Sequence, residues 1–298
     1  MRVFVTGATG FIGSAIVKEL LAAQHTVLGL ARSDASADAL AATGAEVHRG
    51  SLEDVDSLRR GAENADGVIH TAFIHDFSNM TLAGQCDLAA IQVMGDVLAG
   101  SNRPLVISSG TALVAGNGIA TEDRRANTQG GGSHRVKSED AIDELATRGV
   151  RGSVIRLSPT VHGKGDHGFV PHLINIAREK GAAAYVGDGM NRWPAVHRLD
   201  AARLFRLALE KGTAGARYHG AAEEGIPTRT IAETIGRHLN VPVVSKSGDE
   251  VAPHFGWIGI FFSLDCPASS AWTRAQLGWT PGEPDLIDDL DQGHYFGR

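Results

Sequence analysis

The chain contains 298 residues, of which 43% are hydrophobic and 21% are charged, an ordinary globular composition that can fill a large buried core. Its formal net charge of −6 argues against non-specific nucleic-acid binding, which needs clustered Lys and Arg to displace counterions. No stretch reaches the roughly 18 apolar residues that span a bilayer, so the sequence predicts a soluble cytoplasmic protein with neither nucleic-acid nor membrane partners. The two cysteines, Cys86 and Cys266, lack metal-ligand spacing, and we expect free thiols.

The first 160 residues alternate short apolar runs with helical patterns. Strands are predicted at RVFVTGA, HTVLGLAR, AEVHRG, DGVIHTAF, PLVISSGT and RGSVIRLSP, with helices at GSAIVKELLAAQ, DASADALAAT and VDSLRRGAEN. Near-continuous apolar strands separated by helices indicate a parallel sheet that is buried on both faces. Because its crossovers are right-handed, we expect a doubly wound α/β fold of Rossmann type.

The pattern loosens after residue 157. Helices are predicted at DAARLFRLALEKG and RTIAETIGRHLN, and a short strand at RYHGAAE. We expect residues 158–298 to form a small mixed region for substrate binding that is interleaved with the first part.

The strongest signal is the stretch VFVTGATGFIGSAIVKEL near the N-terminus. Its glycines Gly7, Gly10 and Gly13 separate a predicted strand from a predicted helix. Gly7 suits a tight turn, Gly10 lets the backbone approach a diphosphate, and Gly13 lets the helix pack closely against the strand. Because free N–H groups and the positive dipole end favour phosphates at a helix N-terminus, residues 1–157 are predicted to bind a dinucleotide.

The end of the second predicted strand bears on which dinucleotide binds. An NAD site usually places an acidic residue there to accept hydrogen bonds from the ribose, whereas this sequence has GLARSD. Arg32 and Ser33 suit a 2′-phosphate, since guanidinium offers paired donors and the hydroxyl adds another hydrogen bond. Asp34 could instead reach the ribose if the strand ends later. We expect NADP, with NAD as the weaker alternative.

Several motifs in order resemble those of the extended short-chain dehydrogenase/reductases, also called the NAD-dependent epimerase/dehydratase family. They are TGATGFIG, GSLEDVDSL, DGVIHTAF, VISSGTALVAG, VIRLSPTVHGKGD and VGDGMNRWPAVHRLDAARLFRLALE. The resemblance covers nearly the whole chain and implies a Rossmann domain, a small C-terminal substrate domain and a site between them. It allows a homodimer, because family members often pair through two helices each. It also implies cofactor contacts from Gly7, Thr9, Gly10, Phe11, Ile12, Gly13, Ser51, Leu52, Thr71, Ala72, Phe73, Pro159 and His162.

The family's catalytic tyrosine is missing. In the family this tyrosine acts as acid or base on the substrate oxygen, a lysine lowers its pKa, and a Ser or Thr hydrogen-bonds the same oxygen. The lowering matters because a phenol of pKa about 10 is a poor base at neutral pH. The hydroxyl position matches Thr111, with Ser109 as the less favoured choice, but SHRVKSE stands where the tyrosine and lysine belong.

Two registers place the missing pair differently. If Lys137 is the lysine, Ser133 replaces the tyrosine. If the downstream glutamate and the VIR strand set the register, Arg135 takes the lysine's place and Gly131 the tyrosine's. We prefer the second register because its downstream spacings fit without a gap, and both registers remove the phenol.

Other residues near this position are candidates for the altered chemistry. Arg135 could hold the ribose and stabilise an oxyanion, and His134 has a pKa suited to proton transfer near neutrality. On a helix, however, His134 would point about 100° away from Arg135. His75 and Asp76, just after the fourth predicted strand, could also line the site.

One position bears on the substrate. Nucleotide-sugar members of the family have an arginine that grips diphosphate, and counting back from Asp200 puts Trp193 at that place, with Arg192 beside it. A tryptophan favours a less charged, aromatic or apolar substrate. We expect an NADPH-linked oxidoreductase acting on a carbonyl-like small molecule. An epimerase or dehydratase, and an NADP-binding redox sensor without catalysis, are the alternatives.

Overall fold

The computed structural model describes residues 1–74, 79–127 and 135–297. Its strands are β1 (Arg2–Thr6), β2 (Thr26–Ala31), β3 (Glu46–Arg49), β4 (Gly67–His70), β5 (Pro104–Gly110), β6 (Arg151–Leu157), β7 (Thr160–His162), β8 (Ala183–Val186), β9 (Arg192–His197), β10 (Ala216–Gly220), β11 (Glu223–Pro227) and β12 (Val243–Lys246). Its helices are α1 (Phe11–Ala22), α2 (Asp34–Ala41), α3 (Val55–Glu63), α4 (Met80–Leu98), α5 (Val136–Thr147), α6 (Phe169–Lys180), α7 (Arg198–Lys211), α8 (Thr228–Leu239), α9 (Val251–Phe255), α10 (Ile258–Phe262), α11 (Ala271–Leu277) and α12 (Leu286–Asp291). Within these ranges, no helix combines the length and apolar character that crossing a bilayer requires.

The main sheet is parallel and, in the described residues, has seven strands in the order β3-β2-β1-β4-β5-β6-β10. Strands β1, β2, β4, β5 and β6 are largely apolar because helices cover both faces, whereas the edge strand β3 is partly exposed. The chain order reverses beside β1, which has β2 on one side and β4 on the other. Such a reversal opens a crevice at the carboxyl ends of the strands. The predicted doubly wound α/β fold is confirmed.

Two apolar cores lie on opposite faces of the main sheet. Strand β1 supplies both, since successive side chains of a strand point to opposite faces. Val3 and Val5 pack with α1 and α7, whereas Phe4 packs with α3 and α4. Gly61 on α3 makes room for the Phe4 ring, because a Cβ there would lie 2.4 Å from a ring carbon. Burying one such apolar side chain contributes roughly 1.5–3 kcal/mol.

A smaller layer contains a three-stranded sheet, β11-β9-β7, and a two-stranded sheet, β12-β8. Its own apolar core combines α6 and α8 with the short helices near the C-terminus. The chain does not stay in this layer after residue 157, because α7 packs against α1 and β10 pairs with β6. The second half therefore contributes to both layers, and the division at residue 157 stays a prediction.

The turn between β1 and α1 depends on two glycines. Gly7 has a φ of +69°, a left-handed conformation that favours glycine, and a Cβ there would lie 2.7 Å from the backbone nitrogen of Ala72. A Cβ on Gly13 would lie only 2.0 Å from the carbonyl oxygen of Gly7. The helix can therefore pack this closely on the turn only while residue 13 has no side chain.

A buried ion pair joins α5 to β6. The guanidinium of Arg156 donates from Nε and Nη2 to the carboxylate of Glu139, at 3.0 Å and 2.6 Å. Burial by itself would raise the pKa of Glu139, but the hydrogen bonds and charge of Arg156 outweigh it and hold that pKa below its usual range. On β10, Nε of Arg217 lies 3.5 Å from the same carboxylate. Removing either partner of such a pair would leave an uncompensated buried charge.

His219 on β10 is buried beside this pair. Its Nδ1 donates to the carbonyl oxygen of Ser269 at 2.8 Å, and its Nε2 faces Nη1 of Arg156 at 3.5 Å. Burial, helped by the charge of Arg156, lowers the pKa of His219 to about 4. The imidazole is therefore neutral at physiological pH.

Replacing Gly13 by Ala should destabilise the fold by roughly 1–3 kcal/mol, because the methyl group overlaps the Gly7 carbonyl and pushes α1 away from β1. Urea unfolding measures the change. Gly282→Ala is the matched control, since a Cβ at exposed Gly282 meets no atom within 4 Å. Equal stabilities of the two variants would contradict this account of the turn.

Lowering the pH from 7 to 5 should destabilise the wild-type protein more than the His219→Gln variant. The pKa of His219 falls from 6.5 to about 4 on folding, so between these values the unfolded chain binds the proton and the folded chain does not. The stabilisation is complete above the unfolded pKa and is lost as the pH falls towards the folded one, by roughly 2 kcal/mol at pH 5. Urea unfolding across this range measures both slopes, and identical slopes would rule out His219 as the source.

Candidate active site

A cleft of about 1200 Å³ runs along the carboxyl ends of the main-sheet strands. Its walls come from the segments that follow β1 to β6 and from the smaller layer. The cleft therefore lies where the strand order reverses, the place at which open α/β sheets bind ligands.

One part of the cleft is the glycine turn. No side chain caps the first amides of α1, and its first turn carries no acidic residue. These amides and the positive end of the helix dipole are available to an anion, so the turn fits a diphosphate. The lining residues are the six expected from the sequence, Gly7, Thr9, Gly10, Phe11, Ile12 and Gly13.

The residues expected at a 2′-phosphate lie in the adjoining part of the cleft. Arg32 and Ser33 line it, and so do Ser51 and Leu52 after β3. The Ser33 hydroxyl is also the N-cap of α2, where it accepts from the amide of Ser36 at 3.2 Å. A guanidinium and a helix N-terminus therefore meet where the adenosine half of a dinucleotide would lie.

Arg49 is a cation in this area that the sequence patterns did not single out. It ends β3, in register with Ala31 at the end of β2. Its guanidinium donates to the Ser33 carbonyl oxygen at 2.7 Å and to the Asp34 carboxylate at 2.6 Å. Asp34 does not line the cleft, and its charge is paired with Arg49. Parallel register, which brings the ends of adjacent strands together, is the signal that could have found it.

Arg135 reaches the middle of the cleft from the N-cap position of α5. Thr71, Ala72, Phe73 and Pro159, all expected along the cofactor, line the cleft as well. The centre of the Arg135 guanidinium lies 4.0 Å from the centroid of the Phe73 ring, within range of a cation–π interaction. Its buried Nε and Nη2 have no hydrogen-bond partner within the described ranges. Arg135 therefore places a cation with spare hydrogen-bonding capacity in the wall of the cleft.

A buried polar chain lies beside Arg135. Thr6 donates to Nδ1 of His70 at 2.7 Å, and Nε2 of His70 donates to Oδ1 of Asp87 at 3.1 Å. Ser138 donates to Oδ2 of Asp87 at 2.6 Å, and Nη2 of Arg135 lies 3.8 Å from Oδ1. Burial raises the pKa of Asp87, but the hydrogen bond from His70 and the charge of Arg135 outweigh it and lower that pKa. The ionised carboxylate therefore orients the guanidinium.

Sequence reasoning missed both His70 and Asp87. Each is a buried polar residue in a largely apolar element, at the end of β4 and within α4. Buried polar residues need hydrogen-bond partners, so their occurrence in apolar elements was the sequence signal that could have identified this pair.

Thr111 does not line the cleft, contrary to the geometry expected from the sequence. It is fully buried, and its hydroxyl donates to the carbonyl oxygen of Leu157 at 3.3 Å. The chain enters a 3₁₀ helix at Thr111–Val114 directly after β5, which directs this hydroxyl to β6. Ser109 lines the cleft instead. The catalytic hydroxyl at Thr111 stays a prediction, although this hydroxyl is turned towards β6 and the Ser109 hydroxyl is buried as well.

Lys137 and His162 also lie away from the cleft lining. Lys137 is exposed on α5, because residues two apart on a helix point in different directions. His162 is buried, and its Nδ1 donates to the Asp289 carboxylate at 2.9 Å, which ties β7 to α12. The catalytic role expected of Lys137 and the cofactor contact expected of His162 stay predictions. Outside the described residues lie the candidates His75, Asp76, Gly131, Ser133 and His134.

All three tyrosines of the chain lie in the described residues, and none lines the cleft. Tyr295 donates to Oδ2 of Asp166, a lining residue, at 3.1 Å, and accepts from the amide of Gly163 at 2.9 Å. Burial raises the pKa of both Tyr295 and Asp166. The Tyr295 phenol therefore stays protonated at neutral pH and holds the loop after β7.

The smaller layer walls its end of the cleft with aromatic side chains. Phe169 is the centre of this wall, with ring centroids 5.6 Å from Trp193, 5.8 Å from Trp257 and 5.6 Å from Phe261. Trp257 also stacks on His172, with centroids 5.1 Å apart. We call this wall the aromatic chamber, with members Phe169, His172, Trp193, Trp257, Phe261, Leu264 and Cys266.

Taken together, the lining residues fit a nicotinamide dinucleotide. Free amides would meet the diphosphate, Arg32 would lie at the adenosine end, and the Arg135 cation would lie near a ribose or substrate oxygen. In the part of the chain that the structure describes, no three His, Cys, Asp or Glu side chains are grouped to hold a metal ion.

Comparison with known proteins identifies the family. The model of the NAD dependent epimerase/dehydratase family matches residues 3–220. An uncharacterized protein of Schizosaccharomyces pombe is 51% identical over 297 residues, covering 99% of this chain and 100% of the relative. The sterol-4-alpha-carboxylate 3-dehydrogenase (decarboxylating) of Dictyostelium discoideum is 30% identical over 226 residues, covering 71% and 68%.

A solved structure shares the fold. DesIV, a dTDP-glucose 4,6-dehydratase of Streptomyces venezuelae with NAD and TYD bound, aligns with a TM-score of 0.77 at 21% identity, covering 99% of this chain and 96% of that one. The family indicated by the sequence motifs is thereby confirmed, and the chain belongs to the NAD dependent epimerase/dehydratase family.

Proposed function

We propose that the protein is an NADPH-dependent oxidoreductase that reduces the carbonyl group of a small molecule. The observation that carries this proposal is the guanidinium of Arg135, a cation that lines the cleft and whose Nε and Nη2 make no hydrogen bond within the described residues. Donors that are positioned before the reaction stabilise negative charge on an oxygen most effectively.

The lining residues would act on the substrate oxygen. When bound, a reduced nicotinamide would supply hydride to the carbonyl carbon. Arg135 would donate hydrogen bonds to the oxygen as it gains negative charge. His134 stays the proposed source of the proton that completes the alcohol, because an imidazole titrates near neutral pH. No role in this scheme requires a phenol.

The preference for NADP rests on two guanidinium groups. Arg32 lines the cleft, and Arg49 lies beside Ser33 and pairs with Asp34. The pair between Arg49 and Asp34 is exposed to solvent, so it is weak, and a phosphate can compete for the cation. A paired Asp34 also repels a 2′-phosphate less than a free carboxylate would.

Arg32→Ala and Arg49→Ala should each weaken NADP binding about tenfold or more, because each variant loses a charge-assisted hydrogen bond to phosphate. NAD binding should change less than threefold. Isothermal titration calorimetry with both dinucleotides measures the effects. Wild-type protein that binds NAD as tightly as NADP would overturn the preference.

Arg135→Ala should lower kcat about 100-fold for NADPH-dependent carbonyl reduction, because a buried donor to the developing oxyanion is lost. Arg135→Lys should recover part of the rate, since it retains one charged donor. The control is Arg148→Ala, an exposed cation at the opposite end of α5 that pairs with Asp96. Loss of NADPH absorbance over a panel of carbonyl compounds measures turnover. It separates reduction from isomerisation, which consumes no net NADPH, and the absence of consumption with every compound would contradict the proposal.

A further inference from the structure

We infer that the aromatic chamber binds the substrate, and that the substrate is an uncharged ketone whose carbonyl is attached to a flat aromatic or fused-ring body. The inference names a substrate class for the proposed reductase, and it depends on that function only for the reactive group, the ketone. The shape and polarity of the bound body follow from the chamber walls alone.

The chamber presents carbon surface to a ligand. Trp193 is only 1% exposed, and its indole N–H donates to the carbonyl oxygen of Phe261 at 3.2 Å. The polar atom of this ring is therefore already paired, and the ring surface left for a ligand comes from Phe169, Trp257 and Phe261. Aromatic groups meet such surfaces in offset-stacked or edge-on arrangements.

The chamber lacks the cations that a sugar nucleotide would need. Arg192 lies next to Trp193, but its backbone N, Nε and Nη2 all donate to the Asp265 carboxylate, at 2.7, 3.1 and 2.9 Å. From residue 160 onwards, the described residues that line the cleft include no Lys or Arg. Asp166 lines it and is an acid. A diphosphate here would be desolvated without a counter-charge, which is strongly unfavourable.

Trp257 is the part of the wall that still has surface to offer. Its ring stacks on His172 and meets Phe169 edge-on, yet the residue is 39% exposed. A flat ligand that covers the remaining surface would gain apolar contact. The ring therefore marks where the body of the substrate lies, with its carbonyl directed along the cleft towards Arg135.

Binding of 2-acetylnaphthalene to the full-length protein saturated with NADP tests this assignment. Isothermal titration calorimetry should show at least tenfold tighter binding of 2-acetylnaphthalene than of UDP-glucose or acetoacetate. Trp257→Ala should weaken the binding of 2-acetylnaphthalene roughly tenfold and leave NADP affinity unchanged. Trp272→Ala is the matched control, because Trp272 is 41% exposed but stacks on Tyr218 outside the cleft.

The outcomes separate the two proposals. Tighter binding of UDP-glucose or acetoacetate than of 2-acetylnaphthalene would overturn the assignment of the chamber without a variant being made, and so would equal losses in Trp257→Ala and Trp272→Ala. NADPH-dependent reduction of acetoacetate alone would overturn the chamber assignment and leave the reductase function standing. Tight, Trp257-dependent binding of 2-acetylnaphthalene without NADPH consumption on any ketone would support the chamber and overturn the reductase function.

Discussion

The cleft depends on how closely the first helix approaches the first strand. Gly13 of α1 lies against the carbonyl of Gly7, at a distance that leaves no space for a Cβ. This contact aims the free amides of α1 into the cleft and sets the surface on which α7 packs. Helix α7 belongs to the second half of the chain. The contact between Gly13 and Gly7 therefore links the position of the glycine turn to that of the segments that carry the aromatic chamber.

Arg135 is held by charge and ring contact rather than by saturated hydrogen bonds. Asp87 lies 3.8 Å from the guanidinium and the Phe73 ring 4.0 Å from it. These two contacts fix its position, while its Nε and Nη2 make no hydrogen bond within the described residues. Asp87 can stay ionised in this buried position because His70 and Ser138 both donate to it. The arrangement keeps a charged donor ready in a place that is poorly hydrated, where its field is weakly screened.

Much of the fold was predictable from the sequence, because the inner strands of the main sheet are largely apolar runs bounded by turn residues. The glycine turn and its six lining residues follow from local spacing. No element was predicted for α4, whose mixture of small and polar residues hides its period. The pairing of Asp87 with His70 and of Arg49 with Asp34 depends on segments distant in the chain. The direction of Thr111 depends on a 3₁₀ turn that has no clear sequence signal.

The ion pair between Glu139 and Arg156 fixes the position of α5, the helix that begins directly after Arg135. Glu139 lies one helical turn after Arg135, and its carboxylate anchors α5 to β6 from inside the protein. Helix α5 is therefore held by a contact that does not involve the position of the family's catalytic tyrosine. The frame that carries Arg135 is therefore set by an internal ion pair and not by the residues that would hold a catalytic phenol.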